Sequence, residues 1–465
     1  MVLQLPNIAE FVLAWFGLQR LGAVPVHAMP GHRRAEIGHL VQESGAVACI
    51  IPDRYARFDH RELAAGFLGR PGSRDGLRHV IVVGDPGADR QFAAFADLLA
   101  EPAEQGQPSD GGAASGDLAL LLLSGGTTGL PKLVPRTHDD YAYNAVAAAS
   151  TSGVTGNSVY LAVLPIGFNF ALACPGALGT LCHGGAVVLA PDPSPQTAFG
   201  LIEREQVTIT ALTPPLLPHW LNEHSTHGAA LGTLQVLQVG GARLADELAQ
   251  RAGPALGVTV QQVFGMAEGL INMTRLDDSP ELICSTQGRP ISPADEILIV
   301  DAEDHAVPDG TTGELLTRGP YTIHGYYRAE AHNRTAFTPD GFYRTGDLVR
   351  QLPSGHLVVV GRKKDQINRG GEKIAAIEVE EHLLTHPAVT AAAVVGVPDD
   401  SRGQRSVAFL VCAGLPPTIR ELAAFLADHG LAAYKTPDQV VAVRQLPLTA
   451  VGKVDKNALV KHLKA

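Results

Sequence analysis

The sequence predicts an α/β fold: a large N-terminal part of layered α/β subdomains with a small β-barrel-like portion, then a small C-terminal α+β domain. Three observations predict it. Short apolar runs alternate with stretches whose apolar residues recur every three to four positions, as strands and helices do in a largely parallel sheet. From about residue 296 the runs become short and are separated by turn residues such as Pro353-Ser-Gly355. Beyond about Gly361–Gly371 helical and strand patterns mix again within one compact unit.

Taken in order, Ile8 to Gly22 has helical spacing, and Gly22 stops it before a short strand that begins at Val24-Pro-Val26. Glu36 to Ser44 repeats the helical pattern. Val47–Ile51, ended by Pro52, and His79–Val83 are compact apolar strands. A polar Pro/Gly-rich connector fills 101–116, and Leu118–Leu123, almost all leucine, follows as a buried strand. Further strands are predicted at 158–164, 186–190, 207–212, 235–239 and 259–263. Ile297–Val300, Gly313–Thr317, Phe342–Tyr343, Asp347–Gln351 and His356–Val360 are read as separate short strands of an antiparallel barrel or sheet. The last unit reads as helix Ile377–Leu384, strands Val389–Val397 and Arg405–Val411, helix Ile419–Asp428 and strand Gln439–Val443. The expected domains are 1–361 and 366–465, with a hinge near 362–365.

The 465 residues carry 36 Lys+Arg against 47 Asp+Glu, and this acidic excess of −11 argues against nucleic acid as the main partner. With 45% hydrophobic and 18% charged residues the chain is globular rather than disordered or fibrous. Cys49, Cys174, Cys182, Cys284 and Cys412 are scattered and form no CxxC pair. They suit a reducing compartment and supply neither a disulfide frame nor a zinc site. No apolar run reaches the roughly 18 residues a membrane helix needs, and the first residues lack a basic n-region, so a cytoplasmic protein without a membrane partner is expected.

The most informative segment follows the leucine strand. Ser124, Gly125, Gly126, Thr127, Thr128 and Gly129 form a loop of small and hydroxyl residues, and Lys132 follows. Glycines let backbone N–H groups converge on an anion, hydroxyls add donors and the lysine adds charge, so phosphate is the natural ligand. Pro131 before the lysine rules out a Walker A loop.

The stretch SGGTTGLPK resembles the phosphate loop of the adenylate-forming superfamily: acyl- and aryl-CoA ligases, luciferases and adenylation domains of nonribosomal peptide synthesis. Four further segments agree in order: Val263-Phe-Gly-Met-Ala-Glu268, Tyr343-Arg-Thr-Gly-Asp347, Gly361-Arg-Lys-Lys-Asp365 with Gly370-Gly-Glu-Lys-Ile374, and Pro447-Leu-Thr-Ala-Val-Gly-Lys453. The resemblance implies that ATP and an acid react at the α-phosphorus, with Mg²⁺ held by Glu268 and with Lys453 and Lys132 as catalytic cations. It also implies ribose contacts from Asp347 and Arg362, and adenine lying against Gly240, Gly241 and Ala242 beside Val263, Phe264 and Gly265. Asp365 matches the hinge about which the family's small domain turns between adenylation and thioester formation. Lysine's compact mobile charge suits the bridging of a carboxylate and a triphosphate, and a carboxylate with phosphates and water is the usual setting of Mg²⁺.

Within that superfamily the chain resembles stand-alone aryl-acid adenylating enzymes of the 2,3-dihydroxybenzoate and salicylate kind. Pro135-Arg-Thr-His-Asp-Asp-Tyr141, Phe264-Gly-Met-Ala-Glu-Gly269 and Asn272-Met-Thr-Arg-Leu-Asp-Asp278 carry the likeness. Amino-acid activators hold the substrate ammonium with an aspartate where this chain has Asn169, a neutral amide suited to an ortho hydroxyl or ring nitrogen. Relatives have His-Asn where this chain has Phe168-Asn169. Cys174 stands where a small polar residue meets the ring's 3-position, and as a poor hydrogen-bond partner it favours salicylate over 2,3-dihydroxybenzoate; a heteroaryl ortho-hydroxy acid stays open. Met266 and Ala267 complete the expected acid pocket.

The expected reaction makes aryl-AMP and pyrophosphate, then passes the aryl group to the phosphopantetheine thiol of an aryl carrier protein acting in trans. Free coenzyme A is the alternative acceptor. A different alternative is an inactive, truncated nucleotide-binding homologue, because family members carry a further segment before the stretch resembling Val2-Leu-Gln-Leu-Pro-Asn-Ile-Ala-Glu, at which this chain opens.

Overall fold

Leu118–Leu123 behaves as a leucine run should. In the computed structural model it lies inside a seven-stranded sheet, and Leu120, Leu121 and Leu122 are buried. Residues 1–69, 76–88, 91–100, 112–124, 131–228, 231–370, 372–399 and 401–463 are described. Across this sheet the strands run Phe92–Ala94, His79–Val83, Ala48–Pro52, Val2–Leu3, Val26–His27, Leu118–Leu123 and Leu133–Thr137. All neighbours are parallel except the last pair. Strands with both faces covered read as continuous apolar runs, which is why this sheet was legible. Leu120 and Leu122 pack with Phe11, Leu18, Tyr141 and Leu172; truncating such a leucine to alanine costs about 2–5 kcal/mol.

A second seven-stranded sheet runs Ala186–Leu189, Val159–Ala162, Ile209–Leu212, Val236–Gly240, Thr259–Met266, Gly269–Met273 and Arg289–Pro290. It is parallel up to Thr259–Met266 and antiparallel beyond. Both sheets meet the expectation of layered, largely parallel α/β structure.

The portion from 296 onward is an antiparallel four-stranded sheet of Glu296–Val300, Gly313–Arg318, Tyr343–Gln351 and Leu357–Arg362. The expected break between Phe342–Tyr343 and Asp347–Gln351 is absent, because Tyr343–Gln351 is one strand. Gly346 takes a left-handed φ of +70°, and the ladder slips there: Leu316 faces Arg344 while Glu314 faces Leu348. The Thr-Gly pair is therefore a bulge inside the strand, which re-aims Asp347 without ending the pairing.

The last sheet holds Glu372–Ala375, Gln366–Arg369, Gly403–Cys412 and Val389–Asp399, with Gln439–Ala442 parallel to Gly403–Cys412. Helix Ile419–Asp428 begins where the sequence places it, since Thr418 and Glu421 form a reciprocal capping box. Its Leu422 and Leu426 pack with Val379 and Leu383 of helix Ala376–Leu384 over Ile367, Ile374 and Leu410. Among the described residues no helix is long and apolar enough to cross a membrane.

Candidate active site

A strand-end loop, two strands of the antiparallel sheet and a C-terminal turn bring several of the candidate residues together. Val236–Gly240 delivers Gly240 and Gly241 at its C-terminal end, where ligands bind in open α/β sheets. A Cβ on Gly240 would lie 2.6 Å from the Val263 carbonyl and 3.0 Å from the Phe170 ring. Gly241 has φ +85°, and a Cβ there would meet the Lys453 side chain at 3.3 Å. Only glycine lets the backbone come this close to its neighbours.

Lys453 reaches this point from the far end of the chain. The turn carrying it is closed by a 2.7 Å bond from the Thr449 N–H to the Lys453 carbonyl. It is docked by Thr213, whose hydroxyl donates to the Gly452 carbonyl at 3.1 Å. The Lys453 ammonium lies 5.9 Å from the centre of the Phe168 ring, within reach of a cation–π interaction. Burial pushes its pKa down to about 8; Arg362 and Lys364 act in the same sense, and Asp347 and Glu268 oppose them. A lysine surrounded by protein and poised near neutrality suits a group that must meet anions.

The two carboxylates are held differently. Asp347, nearly buried, accepts from Arg362 Nε at 2.6 Å and from Arg362 Nη2 at 3.2 Å. Asp347 in turn holds the guanidinium well above its ordinary pKa. Glu268 accepts from the Tyr326 hydroxyl at 2.8 Å, and that oxygen lies 2.8 Å from the Tyr343 hydroxyl. The Lys132 ammonium sits 5.6 Å from the centre of the Tyr326 ring. Tyr326 thus ties the candidate metal ligand to the lysine after the phosphate loop. That loop closes at its described ends through Ser124 N–H to the Lys132 carbonyl at 2.9 Å and Lys132 N–H to Ser124 Oγ at 3.0 Å. Gly125, Gly126, Thr127, Thr128 and Gly129 lie outside the described residues.

A cavity of about 680 Å³ opens between the parts of the chain. Its wall includes Gly241, Ala242, Val263, Phe264, Gly265, Asp347, Arg362, Asp365 and Lys453. The candidate acid residues do not line it. Asn169 opens helix Asn169–Ala173 behind Phe168, is 7% exposed, and accepts from the Tyr141 hydroxyl at 2.9 Å. Its Nδ2 lies 3.7 Å from Cys174 Sγ, and burial pushes the Cys174 thiol up to about 12, so it is a neutral thiol. Met266 and Ala267 turn between Thr259–Met266 and Gly269–Met273. The Ala267 carbonyl accepts from the fully buried Arg136 at 3.0 Å. Phe168, under the Lys453 ammonium, joins this second cluster to the cavity.

Two matches decide the family. The AMP-binding enzyme model matches residues 1–327, and the AMP-binding enzyme C-terminal domain model matches 378–453. The chain belongs to the AMP-binding enzyme family. It is an adenylate-forming ligase that uses ATP. It is 53% identical over 458 residues to the 2,3-dihydroxybenzoate-AMP ligase of Bacillus subtilis, covering 98% of this chain and 83% of that protein. It is 50% identical to the salicyl-AMP ligase / salicyl-S-ArCP synthetase of Mycobacterium tuberculosis, covering 99% and 80%. Among solved structures, apo MbtA of Mycobacterium smegmatis is 48% identical, with a TM-score of 0.71 over 99% of this chain and 84% of that one.

The residues of this ligase present a chemistry that fits Mg²⁺ held largely by phosphates and water. Glu268 is nearly buried, with one oxygen bonded by a neutral phenol, and no cluster of three ligating side chains occurs among the described residues. Sequence reasoning missed Tyr326, Tyr141, Arg136 and Thr213. Tyr141 and Arg136 lie within the Pro135–Tyr141 segment singled out above, which was informative without indicating what either side chain touches.

Proposed function

We propose that this ligase activates an aryl acid of the 2-hydroxybenzoate type with ATP, then transfers the aryl group to the phosphopantetheine thiol of an aryl carrier protein. The observation that carries the proposal is the placement of Lys453: its ammonium faces the Phe168 ring beside Asn169 and interacts electrostatically with Asp347 and Glu268. A carboxylate oxygen of the acid attacks the α-phosphorus, and the bond to pyrophosphate breaks. Lys453 steadies the negative charge gathered at that centre. Asp347, with Arg362, receives the ribose hydroxyls, and Gly240, Gly241 and Ala242 give the adenine a close backbone surface beside Val263, Phe264 and Gly265. The loop from Ser124 to Gly129 and Lys132 serve the phosphates. Mg²⁺, held by Glu268, would supply further neutralisation of the triphosphate. In the second step a thiolate attacks the acyl carbon and AMP leaves.

The small unit 366–465 moves about a hinge near 362–365, centred on Asp365, between these steps, and the large unit 1–361 holds the substrates. Supporting this division, the four-stranded sheet ends at Arg362 and the last sheet begins at Gln366. A reducing cytoplasm suits five unpaired cysteines.

Salicylate is favoured over 2,3-dihydroxybenzoate, and an ortho-hydroxy heteroaryl acid is also accommodated. The neutral Cys174 thiol beside Asn169 supports this order, since it offers little to a 3-hydroxyl. ATP–pyrophosphate exchange over a panel of acids tests the proposal. Salicylate should exceed 2,3-dihydroxybenzoate, and Cys174→Ser should narrow the gap. Exchange with aliphatic or α-amino acids but none with ortho-hydroxy aryl acids would refute the assignment of Asn169.

A further inference from the structure

Tyr141 is 3% exposed and lies on helix His138–Thr151. Its ring sits 5.0 Å from the guanidinium carbon of the fully buried Arg136. A phenol enclosed in this way keeps its proton: burial raises the Tyr141 pKa well above the ordinary value, against the opposing charge of Arg136. It therefore has an O–H to donate, and that O–H goes to Asn169 Oδ1 at 2.9 Å.

A primary amide has one accepting and one donating edge, and a flip of the side chain exchanges them. The Tyr141 O–H against Oδ1 biases that choice: a flipped amide could donate Nδ2–H to the phenol oxygen, but the buried phenol proton would then lose Oδ1, the acceptor it has here, and an unmet buried donor is costly. The donating edge is then the one left over. Its protein contact is Cys174 Sγ at 3.7 Å, a weak acceptor that engages one of two N–H groups. The neighbouring wall is equally fixed. Asn144, on the same helix, donates to the Ala173 carbonyl at 2.7 Å and accepts from Arg136 at 3.4 Å.

We propose that Tyr141 is a positioning residue that locks the Asn169 amide with its N–H edge toward the acid, so that the enzyme selects a hydrogen-bond acceptor ortho to the carboxylate. The inference rests on the aryl-acid assignment and deepens it. An ortho-hydroxy acid donates its own O–H to the adjacent carboxylate and leaves oxygen lone pairs for Asn169. A ring nitrogen ortho to the carboxylate is also an acceptor. An ortho-amino group differs little in size, yet its lone pair is drawn into the ring and it sets N–H against N–H.

The test is steady-state pyrophosphate exchange with salicylate, picolinate, 2-aminobenzoate and 2-methylbenzoate. The wild-type enzyme should prefer the two acceptors. The gap between salicylate and 2-aminobenzoate should be about tenfold or more, the scale of one buried hydrogen bond. Tyr141→Phe keeps the ring over Arg136 and removes the O–H, so it should collapse that ratio several-fold while leaving the KM for ATP unchanged. A merely structural role would lower all acids together and preserve the ratio, which would overturn the inference. So would a wild-type enzyme that takes 2-aminobenzoate as well as salicylate, a result that needs no variant. Absence of exchange with every aryl acid would instead overturn the proposed function, and this inference with it.

Discussion

Lys453 gives the sharpest quantitative prediction. Its ammonium lies among Arg362, Lys364, Asp347 and Glu268, and burial brings its pKa down from 10.5 to about 8. In the proposed reaction Lys453 acts as a cation, so kcat/KM for ATP should fall as pH rises through about 8, since kcat/KM reports ionisations of the free enzyme. The protonated fraction drops from about nine-tenths at pH 7 to about one-tenth at pH 9, a loss of roughly tenfold. Opening of the site does not account for this limb. A lowered lysine pKa means that the clustered arrangement binds the proton less tightly than an open one, so rising pH between about 8 and 10.5 favours the empty clustered form. In kcat the limb should move to higher pH, because bound carboxylate and triphosphate restore the charged form. The assay is pyrophosphate exchange from pH 6.5 to 9.5 with subsaturating ATP, for the wild type and Lys453→Arg. The arginine variant should be slower throughout and lack the limb near pH 8, since a guanidinium stays charged. Lys453→Ala should lose most adenylation yet still pass the aryl group from preformed aryl-AMP to the carrier thiol. A wild-type profile flat to pH 9.5, or an arginine variant with an unchanged limb, would refute the reasoning.

Two further perturbations address the supports of the site. Tyr326→Phe removes the O–H on Glu268 and keeps the ring beside Lys132; the Mg²⁺ concentration for half-maximal exchange should rise several-fold, as read by titration at fixed ATP and by Mn²⁺ binding in electron paramagnetic resonance. Arg243 meets Glu381 at 2.7 Å across the cavity, with side chains 10% and 27% exposed. Glu381→Gln should therefore weaken adenylation by about fivefold, the scale of ~1 kcal/mol for a partly exposed pair. It should spare thioester formation from preformed aryl-AMP, and equal loss in both half-reactions would count against a pair specific to this arrangement.

How much could be seen beforehand follows from what each pattern encodes. His79–Val83 and Ile419–Asp428 fall where they were expected because an apolar run and a capped amphipathic stretch carry their own boundaries. Leu133–Thr137 was not foreseen: Pro135 argues against a strand, but this one is at the sheet edge, where proline is tolerated. The hairpin of Gln366–Arg369 and Glu372–Ala375 was missed because its residues are mostly polar and only Ile367 and Ile374 pair inward. Helix Lys456–His462, just beyond the lysine motif, is too short for periodicity to show. In the site, Lys453, Asp347, Arg362 and Glu268 were named from local motifs. Tyr326 and Tyr141 were not, since their partners lie 58 and 28 residues away and one-dimensional pattern holds no trace of such pairs.

Under the proposed roles, the contrast between the two carboxylates gives a reason for one chain to carry both. Arg362 engages both oxygens of Asp347, so that carboxylate is already neutralised and has little electrostatic attraction left for a divalent cation. It can still accept hydrogen bonds from neutral hydroxyls, which is what a ribose offers. Glu268 is hydrogen-bonded by a phenol that brings no charge, and Lys453 and Arg362 act on it only electrostatically, without a direct ion pair, so it is the less compensated of the two carboxylates while its position is fixed. A pre-positioned anion of that kind suits a cation otherwise surrounded by phosphates and water. Each carboxylate therefore takes its role from its partner. In the proposed reading the guanidinium leaves one acid as a hydrogen-bond acceptor, and the neutral phenol leaves the other able to meet a cation. The magnesium titration of Tyr326→Phe probes that division directly, because it changes the orientation of Glu268 while leaving its charge untouched.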